Sequence, residues 1–338
     1  MTLKEIADIV GVSSSTVSLV LNNRDGVGAE TRQKVERALR QYNYVPRKQA
    51  KSNLSDIIYI AKYAIHGMIA EENQGFIASI VDQIIQECNC NDIDVIIANY
   101  SKTTIKQIVS DVELSGASGV IFIGTELSSQ QAEELTLFSV PLVVVDNACM
   151  YRNLNSVLMT NQDIAYIATK YLIDLGHQEI GYLCSNTSTS NLLWRKCGYE
   201  EALADHQVKR GVRLPVTPTL SKAYEDMREH LAIIKNLPSA FFADNDTIAI
   251  GAMRAIQEAG YKIPQDVSII GVDNIPYSAV CNPPLTTISI SRNEMGIQAV
   301  NLLRYKIVNP QTPPIRVQVC GELTVRASTQ IFQKNDDA

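Results

Sequence analysis

Aromatic residues are scarce in this chain of 338: they make up 6% of it and include one tryptophan, Trp194. That complement offers little stacking surface for a nucleobase-like ligand. Cysteines number seven, at 88, 90, 149, 184, 197, 281 and 320. Their one close pair, Cys88 and Cys90, fits neither a CxxC redox motif nor a zinc knuckle. Reduced, mostly buried thiols are expected. No run of about 18 apolar residues occurs, so no hydrophobic spanning helix is expected. The N-terminus, MTLKEIADIVGVSSS, lacks a basic-then-apolar leader. Also missing are G-x-S-x-G, HExxH, Walker A and G-x-G-x-x-G motifs, and the four histidines (66, 177, 206, 230) are dispersed without metal-ligand spacing. These absences argue against an enzyme, a metal site and a bound cofactor. They lead us to expect a cytoplasmic protein with no membrane partner.

What the chain has is charge that is unevenly placed. The formal net charge is −6, which taken alone argues against a nucleic-acid partner. Residues 1–53, however, hold nine Lys/Arg against five Asp/Glu, and the remainder holds 21 against 31. A small basic head on a large acidic body suits a DNA-binding domain with a separate control domain.

The head reads as three short helices. Thr2-x-x-Glu5 forms a capping box, and Leu3, Ile6, Ala7 and Val10 repeat at helical spacing. Gly11 supplies a turn. Ser13 is a suitable N-cap for a second helix with Val17, Val20 and Leu21 inward, ending at Asn22-Asn23. A third helix, from about 29 to 42, turns Thr31, Val35, Ala38 and Leu39 inward. Helix, glycine turn and serine-rich helix is the helix-turn-helix pattern, in which short hydrogen-bonding side chains meet base edges and phosphates.

The stretches LKEIADIVGVSSSTVSLVLNN and ETRQKVERALRQYNYVP resemble the head of the lactose-repressor (LacI/GalR) family over about 46 residues. The resemblance implies major-groove reading by Ser14 and Ser15. It places Leu19 where the family commonly has a guanine-reading arginine. The DNA-facing set it implies is Lys4, Ser13, Ser14, Ser15, Thr16, Ser18, Leu19, Asn22, Thr31, Lys48, Lys51, Asn53 and Leu54. The family's hinge carries A-R-S-L, whose leucine wedges into the minor groove. Here Ala50-Lys51-Ser52-Asn53 stands in that place and leucine comes one residue later. Either Leu54 takes over the wedge or the operator is kinked less.

From residue 56 onward, β-branched runs (57–62, 94–100, 119–124, 142–146, 180–185, 240–244, 267–273) alternate with helical stretches (76–89, 103–115, 128–138, 162–175, 195–206, 224–236, 247–259). Two α/β units in series predict two lobes around a cleft, with ligands beyond the carboxyl ends of strands. Polar groups gather there: Asp146, the loop 185–191, Trp194-Arg195, Asp244-Asn245-Asp246 and Asp273. A carboxylate and a guanidinium suit vicinal hydroxyls, and an aromatic face suits a sugar ring. Asp246 reads as a helix cap, whereas Asp273 and Arg195 read as ligand-facing.

LIDLGHQEIGYL, R-x-x-G-Y-x-x-A-L at 195–203, the run ADNDTIAIGAMRAIQEAGYKIPQDVSIIGVDN and PPLTTI at 283–288 extend the resemblance through the body. It implies an all-α helix-turn-helix head plus an α/β, two-lobed, periplasmic-binding-protein-like (type I) body. It also implies effector contacts at Asn73, Phe76, Asp146, Trp194, Arg195, Asn245 and Asp273, with Gly75 in place of an aromatic widening the pocket or removing a stacking partner. The expected domains are a head at 1–46, a hinge at 47–55 and a body at 56–333. Lobe one takes 55–160 and 290–321, and lobe two takes 162–287 and 323–333. The implied function is a homodimeric repressor of carbohydrate-utilisation genes that binds a pseudo-palindromic operator and responds to a sugar or sugar phosphate. Alternatives are a co-repressor-dependent regulator of non-sugar metabolism and an enzyme carrying a DNA-binding head.

Overall fold

The computed structural model describes residues 3–21, 26–41, 57–66 and 75–332. The chain divides into two compact units, Met1–Leu54 and Ser55–Ala338.

The smaller unit holds α1 (Leu3–Val10), α2 (Ser14–Leu21) and α3 (Ala29–Gln41). Its core is Ile6, Ala7, Val17, Val20, Val35 and Ala38, with Leu39 packed against it. Gly11 turns the chain at φ +72, and Val12 N closes the turn on Ala7 O at 3.0 Å. Only glycine takes that backbone without steric cost. Thr31 is half-buried, a weaker inward position than Val35. Thr2 of the expected capping box lies outside the described residues.

The first sheet of the larger unit is built from β1 (Ile57–Ala64), β2 (Asp94–Ser101), β3 (Gly119–Ile123), β4 (Leu142–Val145), β5 (Asn155–Met159) and β11 (Arg316–Val319). Their order is β11-β5-β4-β3-β1-β2, all parallel. Helices α4 (Phe76–Cys90), α5 (Ile105–Ser115), α6 (Ser129–Glu134) and α11 (Arg292–Val308) accompany it. The central strands are continuously apolar because both faces are covered: every residue of β3 and β4 is buried.

The second sheet contains β6 (Glu179–Ser185), β7 (Lys209–Val216), β8 (Ala240–Ala243), β9 (Ser268–Asp273), β10 (Thr286–Ile290) and β12 (Gly321–Thr324). Its order is β12-β10-β9-β8-β6-β7, with only the β10–β12 pair antiparallel. Helices α7 (Asn161–Asp174), α8 (Ser190–Asp205), α9 (Leu220–Ile233) and α10 (Asp246–Glu258) flank it. The chain passes between lobes at Thr160, at Ser291 and at Cys320, the last two residues earlier than expected because β12 begins at Gly321. Helices α8 and α9 also begin earlier than expected, at Ser190 and Leu220. Thr189 and Thr219 cap them by accepting from the amides of Leu192 and Lys222.

Candidate functional site

In the smaller unit, Ser13 starts α2 as its cap. Its hydroxyl accepts from Thr16 N at 3.1 Å and pairs with Thr16 Oγ1 at 2.8 Å. Ser14 is exposed at the first helical position, and Leu19 and Thr31 are half-buried. Lys4, Ser15 and Ser18 lie on α1 and α2, with only their backbone described. Asn22, Lys48, Lys51, Asn53 and Leu54 lie outside the described residues.

In the larger unit the strand ends converge on one polar cluster. Arg195, one turn into α8, is buried and directs its whole guanidinium inward. Nε donates to Asn161 Oδ1 at 2.9 Å, Nη1 donates to the carbonyl of Asp244, and Nη2 donates to Asp273 Oδ1 at 3.1 Å. From there the chain of bonds crosses between lobes. Asn161 Nδ2 donates to Asn191 Oδ1 at 3.1 Å, and Asn191 Nδ2 donates to Asp146 at 2.9 Å (Oδ1) and 3.0 Å (backbone O). Thr125 Oγ1 completes it on Asp146 Oδ2 at 2.7 Å. Because α8 starts at Ser190, Asn191 and Arg195 are one helical turn apart and share a face.

Backbone conformation supports the arrangement. Asp146 and Asp273 occupy φ +63 and +107, conformations that cost a non-glycine residue about 1–3 kcal/mol and persist where surroundings enforce them. Burial pushes the Asp146 carboxyl up to about 6, against the opposing pull of the Thr125 hydroxyl and the Arg195 charge. Burial likewise pushes Asp244 up to about 6, although the Tyr182 hydroxyl and Ser185 N donate to it. Asp246 is raised well above the usual range, first by burial and then by the Asp273 charge.

Phe76, Asp146, Arg195, Asn245 and Asp273 therefore line one cavity, joined by Ile77, Thr125, Met159, Thr189, Asn191 and Leu192. Its volume is about 20 Å³, room for about one water molecule. The lobes are closed on each other through the Asn191–Asp146 contact, and Gly75 stands at the start of α4 with φ +82. Asn73 lies outside the described residues. Trp194 is not part of this cavity; the helical turn that points Arg195 inward turns its neighbour towards a separate one.

The cap expected at Asp246 falls one residue earlier, on a residue expected as an effector contact. Asn245, not Asp246, caps α10, its Oδ1 accepting from Ile248 N at 2.9 Å. Asp246 instead ties β9 to β10 by accepting from Ile275 N at 3.0 Å and Thr287 Oγ1 at 2.6 Å. His177 has a structural place, its Nδ1 2.8 Å from Ser239 Oγ. Among the described residues no cluster of His, Cys, Asp and Glu is arranged to hold a metal, and no helix is long and apolar enough to cross a membrane. Sequence reasoning missed Thr125, Met159 and Asn161, and took Asn191 only as the end of the polar loop 185–191. A signal existed for Asn191, since Thr189 is a good cap that brings residue 191 into the helix carrying Arg195.

Residues 2–47 match the bacterial regulatory proteins of the lacI family, and residues 169–329 match a periplasmic binding protein-like domain. An HTH-type transcriptional repressor PurR of Histophilus somni is 30% identical over 341 residues, covering 97% of this chain and 99% of that protein. The ribose operon repressor of Haemophilus influenzae is 32% identical over 318 residues, covering 91% and 92%. A Lac repressor dimer bound to operator and the anti-inducer ONPF shares the architecture at a TM-score of 0.72 and 26% identity, covering 98% of this chain and 99% of that one. A CelR–cellobiose complex matches in fold at 0.72 and 24%, covering 97% and 99%.

Proposed function

The chain belongs to the LacI family of bacterial regulatory proteins, and on that premise we propose how this member is controlled. It is a dimeric, cytoplasmic, DNA-binding repressor that acts by binding rather than turnover. Its effector is a neutral sugar held between the lobes. The observation that carries this reading is the buried Arg195–Asp273 pair at 3.1 Å, linked through Asn161 and Asn191 to Asp146 on the other lobe.

The charge balance selects the ligand. Among the described residues that line the cavity Arg195 is the one cation, already paired with Asp273, and Asp146 lines it as well. A phosphorylated sugar would bring further negative charge against this set. A neutral polyol instead supplies hydroxyls that accept from the guanidinium and donate to the carboxylates. Relatives whose names or complexes include ribose and cellobiose support the same class.

A sugar ring does not fit in about 20 Å³, so the ligand enters by opening the lobes and replaces the Asn191–Asp146 contact with its own. Two α/β lobes joined by three chain crossings close and open as a hinge. Changing operator occupancy a thousandfold takes about 4 kcal/mol of differential affinity, within reach of several desolvated hydrogen bonds.

The test is a thermal-shift screen of neutral sugars beside their phosphates, followed by operator binding with and without the responding sugar. A neutral sugar should raise the melting temperature and alter operator affinity. Asp273→Asn should lose both responses yet bind operator normally without sugar. A response confined to sugar phosphates would sink the ligand class, and a normal response in Asp273→Asn would sink the site.

A further inference from the structure

Beside the closed cleft lies a much larger space of about 280 Å³. It sits at the hinge, walled by Met159, Thr160 and Asn161 where the chain first crosses between lobes, by Ala148 and Gln318 of lobe one, and by Trp194 of α8. The scarcity of aromatics noted in the sequence is thus resolved in an unexpected place. The lone tryptophan faces this cavity and not the polar cleft.

We propose that the hinge cavity is a second small-molecule site, taking a flat, uncharged bicyclic heteroaromatic ring. Size sets the first limit: a cavity of about 150 Å³ holds benzene, and this one has nearly twice that room. Trp194 is the aromatic side chain among the described residues that line it, and Met150 and Met159 add apolar wall through their methylenes, since their sulfurs accept from Arg316 Nη1 at 3.6 Å and Arg195 Nη2 at 3.1 Å. Two polar groups remain for the ring's nitrogens. Thr160 caps α7 without a side-chain bond to it, and neither its hydroxyl nor the Gln318 amide has a hydrogen bond among the described residues. Among the described lining residues the one charged side chain, Asp163, is acidic and exposed, and the Arg316 guanidinium behind Met150 is already held by the carbonyls of Cys149 and Arg152, so an anionic ring meets no unengaged countercharge there.

Occupancy would be felt in the cleft. Asn161 lines the hinge cavity and also bonds Arg195 and Asn191, and Met159 lines both spaces. A ring wedged there acts on the closure that the sugar must undo.

Because Trp194 is the only tryptophan, its emission reports on this cavity directly. The probe is benzimidazole, titrated into the full-length protein beside benzimidazole carboxylate. A saturable change in emission is expected with the neutral ring, and binding at least about tenfold weaker with the anion. Ala148→Leu, which fills the cavity, should abolish the change. Gln318→Ala, at an exposed position, should weaken binding about fivefold, the worth of one hydrogen bond. Asp273→Asn, which disables the sugar cleft, should leave the response intact. The proposal is overturned by an absence of saturable change, by equal binding of the anion, or by a response that persists in Ala148→Leu and Gln318→Ala. A response lost only in Asp273→Asn would place the ring in the cleft and also overturn it.

Discussion

Three constraints meet on Asp146: a left-handed backbone, complete burial and a bond to the opposite lobe. Its carboxyl is pushed from 3.8 up to about 6 because burial outweighs the Thr125 hydroxyl and the Arg195 charge. A raised folded-state value means that the native protein holds the proton more tightly than the unfolded chain. The corresponding stability is fully present below 3.8 and is lost as pH rises through about 6. At neutral pH the loss is about 3 kcal/mol. Asp146→Asn removes that charge at little geometric cost. Asparagine tolerates φ +63, still accepts from Asn191, and donates to a reoriented Thr125 hydroxyl. The variant should melt a few degrees higher at about pH 7 and show no gain at about pH 4. A gain of equal size at both values would refute the buried-charge account.

Element packing explains the R-x-x-G motif that sequence comparison can only quote. One turn beyond Arg195, Gly198 lies where α8 crosses α7, and a Cβ there would stand 2.0 Å from the carbonyl oxygen of Gln162. Backbone cannot yield as a side chain can. Gly198→Ala should therefore push α8 off α7, cost about 1–3 kcal/mol in urea unfolding, and weaken sugar binding by moving Arg195 and Asn191. Unchanged stability would mean that the two helices slide apart freely. The strands of the two sheet centres were legible because burial on both faces leaves uninterrupted β-branched runs such as GVIFI and LVVV. Of the edge strands β2 was legible as the run 94–100, but two others were not: β7 (KRGVRLPV) mixes basic residues with proline, and β11 (RVQV) has four residues with a half-exposed pattern. The cleft was legible in part for a similar reason. Asp146, Asn245 and Asp273 end apolar runs and Arg195 carries a charge close behind a polar loop, whereas Thr125 and Asn161, though also at element ends, are uncharged and acquire their roles only when distant elements meet. Trp194 was misplaced because adjacent residues on a helix point about 100° apart.

At the scale of the whole molecule, charge separates the two binding functions. Residues 1–53, head and most of the hinge, carry nine basic residues against five acidic ones, and the rest of the chain is strongly acidic. DNA binding through the head releases counterions, so its affinity depends on salt. A neutral sugar in the body displaces no ions, and the buried Arg195–Asp273 pair is shielded from screening. Raising salt from about 50 to 200 mM should therefore lower operator affinity by about a thousandfold for some six phosphate contacts. Sugar affinity over the same range should stay within about twofold. Anisotropy on labelled operator and calorimetry with the sugar measure the two on one preparation. If sugar affinity falls as steeply as operator affinity, the effector is anionic and the charge argument for a neutral ligand fails. If operator affinity does not respond to salt, the basic head is not what holds the DNA.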